Sequence, residues 1–549
     1  MVIGPTIENG FYYDIYSSDT ISEKELKSIE TVMKKLSKKN YKIIREVVSK
    51  EKALDVFNNR NEDYKVKLIE EIPDDEIIAL YYHEEYTDMC RGPHLVSTKH
   101  LNYFKLMKVS GSYWKGDSKN TQLQRIYGTA WDTKENLKNY LTRLEEAEKR
   151  DHRKIGQKLD MFHFQEESPG MVFWHNNGWT LFNIIKDFIT EYLRDNDYKI
   201  INTPQVLDKS LWQKSGHLDK FSDLIFGVSS EQKEYAIKPM SCPGHIQVYN
   251  QGLKSYRDLP IKFAEFGVVH RNEPSGTLHG LMRIRAFTQD DAHIFCTHNQ
   301  IEDEIKKLIA NIYDIYKIFG FHDIKVELST RPEKRVGSDE IWDNSENALK
   351  TALDASNIAW TLNAGDGAFY GPKIDFSLKD SLDRIWQLGT IQLDFSMPTR
   401  LDATYIDSDG DKVAPVMIHR AILGSLERFV GILIEEYAGD LPLWLSPIQA
   451  SILNISNAQE GYCSDLYKKL NIHKIRTEVD FRNEKISYKI REHSMKRTPY
   501  LLIVGDKEVE NDELSVRTRS GDDLGVMKVD KFIKMVETLV NDKSILLNK

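Results

Sequence analysis

The sequence predicts a multidomain protein of mixed α+β and α/β class, built around a large antiparallel sheet. Its 549 residues exceed what one hydrophobic core usually holds, and typical domain sizes suggest roughly three or four compact units. From Phe162 to about Leu441, strand-like runs follow one another as hairpins with few long helices, which indicates an antiparallel sheet. After Leu441, apolar strands alternate with helical stretches, which is typical of a smaller α/β domain.

Composition narrows the class of protein. Hydrophobic residues make up 40% and charged residues 29% of the chain, so globular cores are expected and disorder is not. The formal net charge of -9 gives no overall attraction to phosphate, so a nucleic-acid partner would need local basic patches. No stretch approaches the ~18 to 20 apolar residues of a membrane span, and we expect no membrane partner.

The four cysteines are far apart and form no C-x-x-C pair. This spacing disfavours both a disulfide framework and a zinc knuckle, so we predict a cytoplasmic protein in a reducing compartment. The opening residues, MVIGPTIENGFYYDI, resemble the middle of a domain, because a strand-like run arrives with no earlier element to pair with. We therefore expect further residues to precede them in the natural protein.

The elements follow in order along the chain. Ser22 and Glu25 stand at capping-box spacing and predict an amphipathic helix over residues 22–39. A mixed α/β region continues to Trp131, and the highly charged stretch NLKNYLTRLEEAEKRDHRK predicts a helix that connects domains. The predicted units are 1–131, a linker helix over 132–160, a large domain over 161–442 and a smaller domain over 443–549.

The segment FAEFGVVHRNEPSGTLHGLMRIRAFTQDDAHIFC is the most informative one for candidate functional residues. It reads as two strand-like runs joined by a Pro/Ser/Gly loop, and alternate residues of an extended second run share one face. That face would contain Arg283, Arg285, Phe287, Gln289, Asp291 and His293. A solvated sheet face is the plain alternative, but an aromatic ring among arginines, an amide and a carboxylate suits a nucleotide-binding surface better.

Three segments resemble the motifs of class II aminoacyl-tRNA synthetases. HRNEPSG, with Arg271 and Glu273, resembles motif 2; GSLERF, with Arg428, resembles motif 3; and the helix and strand ending at Pro204 resemble motif 1. The runs KPMSCPGH, STRPEKRVGSDE, GAFYGPKIDF and PVMIHRAILGSLERF are similar to the threonyl-tRNA synthetase family in particular, and the resemblance extends over the whole chain.

The resemblance implies a fold and a reaction. It assigns a partial α+β editing module to 1–131, a class II antiparallel-sheet catalytic domain to 161–442 and an α/β anticodon-binding domain to 443–549. The implied enzyme joins L-threonine to tRNA(Thr) at the expense of ATP, and works as a homodimer through motif 1.

The resemblance also gives roles to the nucleotide-binding residues. Arg271 would hold the α-phosphate, Phe287 would stack on adenine with Arg428 against its other face, and Glu273 would meet the adenine amino group. Arg283 would be a second phosphate contact, and Mg²⁺ would accompany ATP. Positioning and charge neutralisation would then carry catalysis, with Arg271 and Arg428 as catalytic residues.

Threonine and valine have the same shape, and a hydrophobic pocket separates such isosteres poorly. The family uses zinc, and Cys242, His293 and His419 match its three protein ligands, with one ion per subunit and open positions for the substrate. Their spacing contains no zinc signature, and isolated cysteines and histidines are usually structural. The family residues that contact threonine correspond to Gln289, Asp291, Tyr370 and Lys373.

His217 corresponds to a family histidine implicated in transferring threonine to the terminal ribose of tRNA, where a base or a hydrogen-bond organiser is needed. The alternative interpretation is a surface histidine at the end of a helix.

The first domain resembles the module that removes wrongly attached serine. Serine keeps the hydroxyl, so binding alone discriminates against it by roughly 10- to 200-fold, and a second hydrolytic site is required. YTDMCRGPH supplies Asp88, Cys90 and His94 of that site. The family's upstream His-x-x-x-His element and its small leading domain do not occur in this sequence, so we expect a partial site.

Asn483, Glu508 and Arg517 match family positions that contact anticodon bases, whose edges are readable once unstacked. The basic run FRNEKISYKIREHSMKR lies in the same domain, and its alternative interpretation is a solvated helix face.

Two rival functions remain open at this point. One is a synthetase-like chain that binds RNA without catalysis, and intact Arg271, Arg428 and zinc ligands argue against it. The other is a class II enzyme for serine or proline, which shares motifs 2 and 3. A zinc assay distinguishes this second rival from a threonine enzyme, since the absence of zinc would favour the rival.

Overall fold

The computed structural model of the chain describes residues 2–17, 19–117 and 119–547, and only the backbone at positions 220 and 221. It divides into two compact units, Met1–Glu145 and Glu146–Lys549. Among the described residues, none of the helices combines the length and apolar character needed to cross a membrane.

The first unit contains two small antiparallel sheets with helices. Its elements are β1 (Thr6–Ile7), β2 (Gly10–Ile15), α1 (Glu23–Lys38), β3 (Ile44–Val48), α2 (Lys50–Asn59), α3 (Asp63–Glu70), β4 (Ile78–His83), β5 (Tyr86–Met89), β6 (Tyr103–Tyr113), β7 (Gln122–Trp131) and α4 (Lys134–Arg150), which continues into the second unit. The strand orders are β1-β2-β7-β6 and β3-β4-β5. Helix α1 begins with the predicted capping box of Ser22 and Glu25, which is confirmed.

The second unit begins after the first turns of α4. Its elements up to the end of the large sheet are α5 (His152–Lys158), β8 (Phe162–His163), β9 (Phe173–Trp174), α6 (Asn176–Asp195), β10 (Lys199–Ile200), β11 (Val206–Asp208), α7 (Lys209–Lys214), α8 (His217–Phe221), β12 (Gly227–Ser230), β13 (Lys233–Ile237), α9 (Cys242–Tyr249), β14 (Ile261–His270), β15 (Ala286–Cys296), α10 (Ile301–Ile318), β16 (Ile324–Ser329), α11 (Asp339–Ala355), β17 (Thr361–Asn363), β18 (Lys373–Lys379), β19 (Ile385–Asp394), α12 (Met397–Arg400), β20 (Tyr405–Ile406), β21 (Lys412–Val413), β22 (Val416–Ser425) and α13 (Leu426–Glu436). The stretch predicted as one linker helix is therefore two helices, α4 and α5, separated at Asp151.

The large sheet has the strand order β10-β14-β15-β22-β19-β18-β16-β17 in the described residues. From β14 to β16 every neighbouring pair is antiparallel, which confirms the predicted antiparallel sheet. The expectation of few long helices was wrong, because α6, α10 and α11 have 20, 18 and 17 residues.

Helix α10 shows why these helices form. Three acidic residues occupy its first turn, where their negative charges interact favourably with the positive end of the helix dipole. Ile305, Leu308, Ile312 and Ile315 then follow at helical spacing and are buried in the core. The helices cover the apolar face of the sheet, so its other face is left for polar side chains.

The remaining elements form a smaller α/β layer. They are β23 (Ala450–Asn454), α14 (Glu460–Ile472), β24 (Thr477–Asp480), α15 (Ile486–Met495), β25 (Tyr500–Val504), α16 (Asp506–Asn511), β26 (Glu513–Thr518), β27 (Asp523–Lys528) and α17 (Val529–Asn541). The strand order is β24-β23-β25-β26-β27, with β24 and β25 parallel to β23. This mixed sheet confirms the predicted α/β class of the last segment.

Candidate active site

Two cavities lie side by side over the polar face of the large sheet. The first has a volume of about 360 Å³ and the second about 350 Å³. Their shared lining residues are Arg271, Gln289, Lys373, Thr390 and Gln392. Because the cavities share a wall, two small molecules bound in them would lie next to each other.

The first cavity contains a cluster of three potential metal ligands. Cys242 is the first residue of α9, and His293 on β15 pairs directly with His419 on β22. All three side chains are buried, and one ligand atom of each lies within 4.8 Å of the others. The fold thus brings together residues that are widely separated in the sequence.

The hydrogen bonds behind these residues fix their tautomers. His419 Nε2 lies 3.0 Å from the Asp394 carboxylate, so Nε2 has the proton and Nδ1 keeps its lone pair. His293 Nδ1 lies 2.8 Å from His245 Nδ1, and His245 Nε2 lies 3.1 Å from the Glu265 carboxylate. The His245 proton is therefore on Nε2, and the His293 proton is on Nδ1.

The two remaining lone pairs, on His293 Nε2 and His419 Nδ1, face each other at 3.0 Å. Such a contact is repulsive unless a proton lies between the two nitrogens or a metal cation lies beside both. One cysteine sulfur and two imidazole nitrogens are a donor set that zinc prefers. The three residues therefore fit a zinc ion in both donor type and spacing.

Burial favours the uncharged forms of this cluster. It raises the pKa of the Cys242 thiol well above its ordinary value and lowers the pKa of His293 well below its own. Burial also raises the pKa of the Asp291 carboxyl. A divalent cation would reverse the preference of the thiol, because metal binding requires the thiolate.

The rest of the first cavity suits a small zwitterion. Tyr370 stacks on His419 with ring centroids 4.9 Å apart, and its hydroxyl donates a hydrogen bond to Gln392. The Lys373 ammonium lies 3.0 Å from Asp375. Asp291 also lines the cavity. Ammonium, carboxylate and amide groups around one small volume can pair with both ends of an amino acid.

The second cavity combines an aromatic ring with guanidinium groups. The Arg271 guanidinium carbon lies 5.2 Å from the centroid of the Phe287 ring. Arg428 Nε donates to the Met282 carbonyl at 2.9 Å. Burial lowers the pKa of both arginines from their ordinary value, and they remain cations at neutral pH. A flat ring beside fixed positive charges suits a purine with its phosphates.

Helix α13 aims Arg428 into this cavity. Ser425 caps the helix, and its hydroxyl accepts the Arg428 N–H at 3.2 Å. The buried Glu427 carboxylate accepts the Thr288 N–H at 2.9 Å and the Ser425 hydroxyl at 3.0 Å. Burial raises the pKa of Glu427 to about 7. These bonds tie the start of α13 to strand β15.

One part of the predicted polar strand face was wrong. Strand β15 begins at Ala286, so Arg283 and Arg285 precede it instead of lying on its face. Arg283 forms an ion pair with Glu273 at 2.8 Å and lines the second cavity. Arg285 Nε donates to the Glu273 carbonyl at 2.8 Å and lines neither cavity.

His217 is fully buried, which excludes the alternative of a surface histidine. Its Nδ1 lies 2.8 Å from the Ser215 hydroxyl, and its Nε2 lies 3.8 Å from the Cys242 sulfur. Burial lowers the pKa of His217 to about 4. The imidazole is therefore neutral near pH 7 and lies directly behind the first cavity.

The residues behind the three potential metal ligands were not predicted from the sequence. Lys238 lies 2.9 Å from Glu265 and donates to the Thr203 hydroxyl at 3.0 Å. Burial raises the pKa of Glu265, but hydrogen bonds from His245, Thr203 and Lys238 outweigh it and lower the value to about 2. One signal was available: His245 follows Cys242 by three residues, which places both on one face of a helix.

Comparison with known families agrees with this geometry. Residues 226–437 match the tRNA synthetase class II core domain (G, H, P, S and T). Residues 449–539 match an anticodon binding domain, and residues 78–127 match the threonyl and alanyl tRNA synthetase second additional domain. A threonine–tRNA ligase of Prochlorococcus marinus (strain MIT 9211) is 58% identical over 543 residues, which span 99% of this chain and 85% of that protein. The chain belongs to the threonine–tRNA ligase family.

Other relatives support the same assignment. The threonine–tRNA ligase of Prochlorococcus marinus (strain MIT 9301) is 57% identical over 543 residues, again 99% of this chain and 85% of that protein. The crystal structure of the RNA binding domain of threonyl-tRNA synthetase from Cryptosporidium parvum Iowa II superimposes with a TM-score of 0.69 at 41% identity, covering 71% of this chain and 98% of that one. The chain is thus a class II aminoacyl-tRNA synthetase with the three domains that the resemblance implied.

The editing residues implied by the threonine–tRNA ligase family lie in the first unit. Asp88 accepts a hydrogen bond from the Tyr13 hydroxyl at 2.6 Å and forms an ion pair with the buried Lys65. Cys90 is exposed, and His94 stacks on Tyr81 with ring centroids 4.0 Å apart. Among the described residues, none of these belongs to a group of three potential metal ligands.

The anticodon residues implied by the family are spread over the last domain. Asn483 follows β24, Glu508 accepts the Gly505 N–H at 2.9 Å, and Arg517 on β26 lies 3.3 Å from Asp523. The basic run near Asn483 is not simply a solvated face. Lys489 within it is 1% exposed and donates to the Asn454 side chain at 2.8 Å, so it supports the fold.

Proposed function

We propose that this chain activates L-threonine with ATP as threonyl-adenylate and transfers the threonyl group to the 3′ end of tRNA(Thr). The observation that carries the proposal is the wall shared by the two cavities. One cavity has the cysteine and histidine cluster, the other has Phe287 and Arg428, and Arg271 stands in both. An amino acid and a nucleotide placed there would meet at Arg271.

The proposed activation step joins the threonine carboxylate to the α-phosphorus of ATP and releases pyrophosphate. Such a transfer needs the reactants to be aligned and the phosphate charge to be neutralised. Arg271 supplies positive charge at the junction, and Phe287 with Arg428 holds the adenine. Glu273 and Arg283 line the same cavity. Glu273 would meet the adenine amino group, and Arg283 would be a second phosphate contact. Mg²⁺ would accompany the phosphates.

A zinc ion held by Cys242, His293 and His419 would supply a Lewis acid that binds the amino and hydroxyl groups of threonine and so rejects valine. The chain's own residues complete the selection. Asp291, Gln289, Tyr370 and Lys373 also line this cavity and would contact the threonine. One such ion per subunit is proposed.

For the transfer step, we propose that neutral His217 organises hydrogen bonds near the terminal ribose of tRNA. Its buried position behind the cavity and its lowered pKa support a role as acceptor or relay.

The tRNA would be recognised by Asn483, Glu508 and Arg517 at the anticodon. We further propose a cytoplasmic homodimer joined through motif 1, which is α6 and the strand that ends at Pro204, and a partial serine-editing site at Asp88, Cys90 and His94.

Amino-acid-dependent exchange between pyrophosphate and ATP tests this function directly. Protein of known zinc content should support exchange with threonine, weaker exchange with serine and none with valine. Zinc binding to the hydroxyl accounts for the rejection of valine, and serine retains that hydroxyl. Folded, zinc-loaded protein without any exchange would instead favour an RNA-binding role, and exchange with serine or proline alone would favour a different class II enzyme.

Glu265 should control how tightly zinc binds, although it does not touch the ion. Through His245 it holds the His293 proton on Nδ1 and thus leaves Nε2 free for the metal. The Glu265→Gln variant should bind zinc about 10- to 100-fold more weakly, which is typical for loss of such a partner. Competition with a chromophoric chelator measures this affinity without an activity assay.

Glu304 provides a matched control for this prediction. It is also a buried glutamate paired with a lysine, since it lies 2.8 Å from Lys262, and it lines neither cavity. Glu304→Gln should leave zinc affinity unchanged. Equal zinc affinity in Glu265→Gln and the unmodified protein would refute the proposed relay.

A further inference from the structure

Asp290 lies between two cavity residues but faces the other side of the sheet. Gln289 and Asp291, its neighbours on β15, both line the first cavity. Because side chains alternate along a strand, Asp290 points toward the core, where it is 2% exposed. A buried carboxylate is costly unless it is fully hydrogen-bonded. Its partners therefore indicate what it does.

Strand β22 has an irregularity opposite Asp290. Gln289 pairs with Ser425 and Asp291 pairs with Ala421, so β22 has more residues than β15 between these two pairs. The additional residues form a bulge, in which Gly424 has a φ of 70° that favours glycine. A bulge removes backbone N–H groups from the regular ladder, and those groups need other acceptors.

The Asp290 carboxylate accepts those N–H groups. Its oxygens accept the Ile422 N–H at 2.9 Å and the Leu423 N–H at 3.1 Å. One of them also lies 3.3 Å from the Arg420 guanidinium, which donates to the Asp290 carbonyl at 2.9 Å as well. Arg420 in turn lies over the Tyr198 ring at 4.9 Å. The Asp290 side chain thus pairs with the charge of Arg420 and also holds the backbone of the bulge in place.

The bulge separates the two cavities along β22. Residues before it, such as His419 and Ala421, line the first cavity, whereas Gly424 within it and Ser425 after it line the second. Helix α13 starts immediately afterwards and aims Arg428. Any change in the path of the bulge would move one cavity relative to the other while leaving each largely intact.

We propose that Asp290 is a positioning residue that sets the distance between the amino-acid cavity and the nucleotide cavity by holding the β22 bulge. It does not touch either substrate. Its effect is on the alignment of the reacting carboxylate and α-phosphate, and the proposal rests on the function proposed above. Misplacement of reactants by about 1 Å can cost roughly 10²-fold in rate.

The Asp290→Asn variant distinguishes this role from a general loss of structure. An amide keeps one acceptor but presents an NH₂ group to a bulge N–H or to Arg420. Binding of threonine alone and of ATP alone should change by less than about threefold, while adenylate formation at saturation should fall by about 10²-fold. Zinc content should be unchanged.

Asp380→Asn is the matched control. The Asp380 carboxylate also accepts two backbone N–H groups, from Leu382 and Arg384 at 2.9 Å, and pairs with the Arg384 guanidinium at 2.7 Å. It lines neither cavity. This variant should lose comparable stability but keep its rate of adenylate formation. An equal rate loss in both variants would overturn the proposal.

Gly424→Ala tests the same bulge if Asp290→Asn does not fold. An added Cβ would meet the Leu388 carbonyl oxygen at 2.9 Å and would be strained at this φ. A rate loss with retained binding of threonine is expected, and the rate is compared at saturating ATP because Gly424 itself lines the nucleotide cavity. Wild-type rates in either variant would overturn the positioning role, whereas an inactive unmodified protein would instead overturn the proposed function.

Discussion

Replacing Arg271 with alanine should lower the rate of adenylate formation by about 10²- to 10³-fold, the usual cost of removing one group that stabilises transition-state charge. Arg271 lines both cavities and lies beside Phe287, so it stands where the carboxylate and the α-phosphate would meet. Single-turnover formation of threonyl-adenylate measures the effect without contributions from tRNA.

Arg285→Ala is the comparison variant for this experiment. Arg285 lies close to Glu273 in space but donates to backbone carbonyls and lines neither cavity. We expect less than a tenfold loss, because a contact outside the reacting groups affects only the local loop. If Arg271→Ala retained the rate of the unmodified protein, another group would have to neutralise the charge of the α-phosphate.

His419→Ala should remove zinc binding and threonine activation together. The substitution leaves only two of the three proposed protein ligands, Cys242 and His293, so the loss of zinc affinity should exceed the ~10- to 100-fold caused by loss of an outer partner. Zinc content by atomic absorption and threonine-dependent pyrophosphate exchange should fall in parallel.

His298→Ala controls for the loss of a histidine as such. His298 is exposed, stacks on Phe395 at 5.2 Å and belongs to no metal-ligand group among the described residues. It should retain zinc and full exchange. Retained threonine activation in zinc-free His419→Ala protein would contradict the proposed role of the metal.

Local signals in the sequence were sufficient for much of the fold. The capping box at Ser22 depends on residues three apart, and a short turn joins the antiparallel strands β18 and β19 of the large sheet. The long helices were readable as well, since Ile305, Leu308 and Ile312 follow helical spacing, but the hairpin pattern on either side obscured them.

The site depends on contacts that no local pattern encodes. His293 and His419 are 126 positions apart and meet only because β15 and β22 are neighbours. Their grouping with Cys242 followed from family resemblance alone. The β22 bulge could not be predicted either. Gly424 has a positive φ, but in the sequence it cannot be told apart from a glycine in an ordinary turn.

The shared wall between the cavities has a consequence for the intermediate. In the proposed reaction, threonine and ATP would each occupy one side, whereas threonyl-adenylate would span both and would contact Arg271 from both directions at once. A ligand that joins two subsites loses its translational and rotational freedom only once, so its affinity approaches the product of the separate affinities. The adenylate should therefore dissociate far more slowly than either substrate, and this retention protects a hydrolysable anhydride until tRNA arrives.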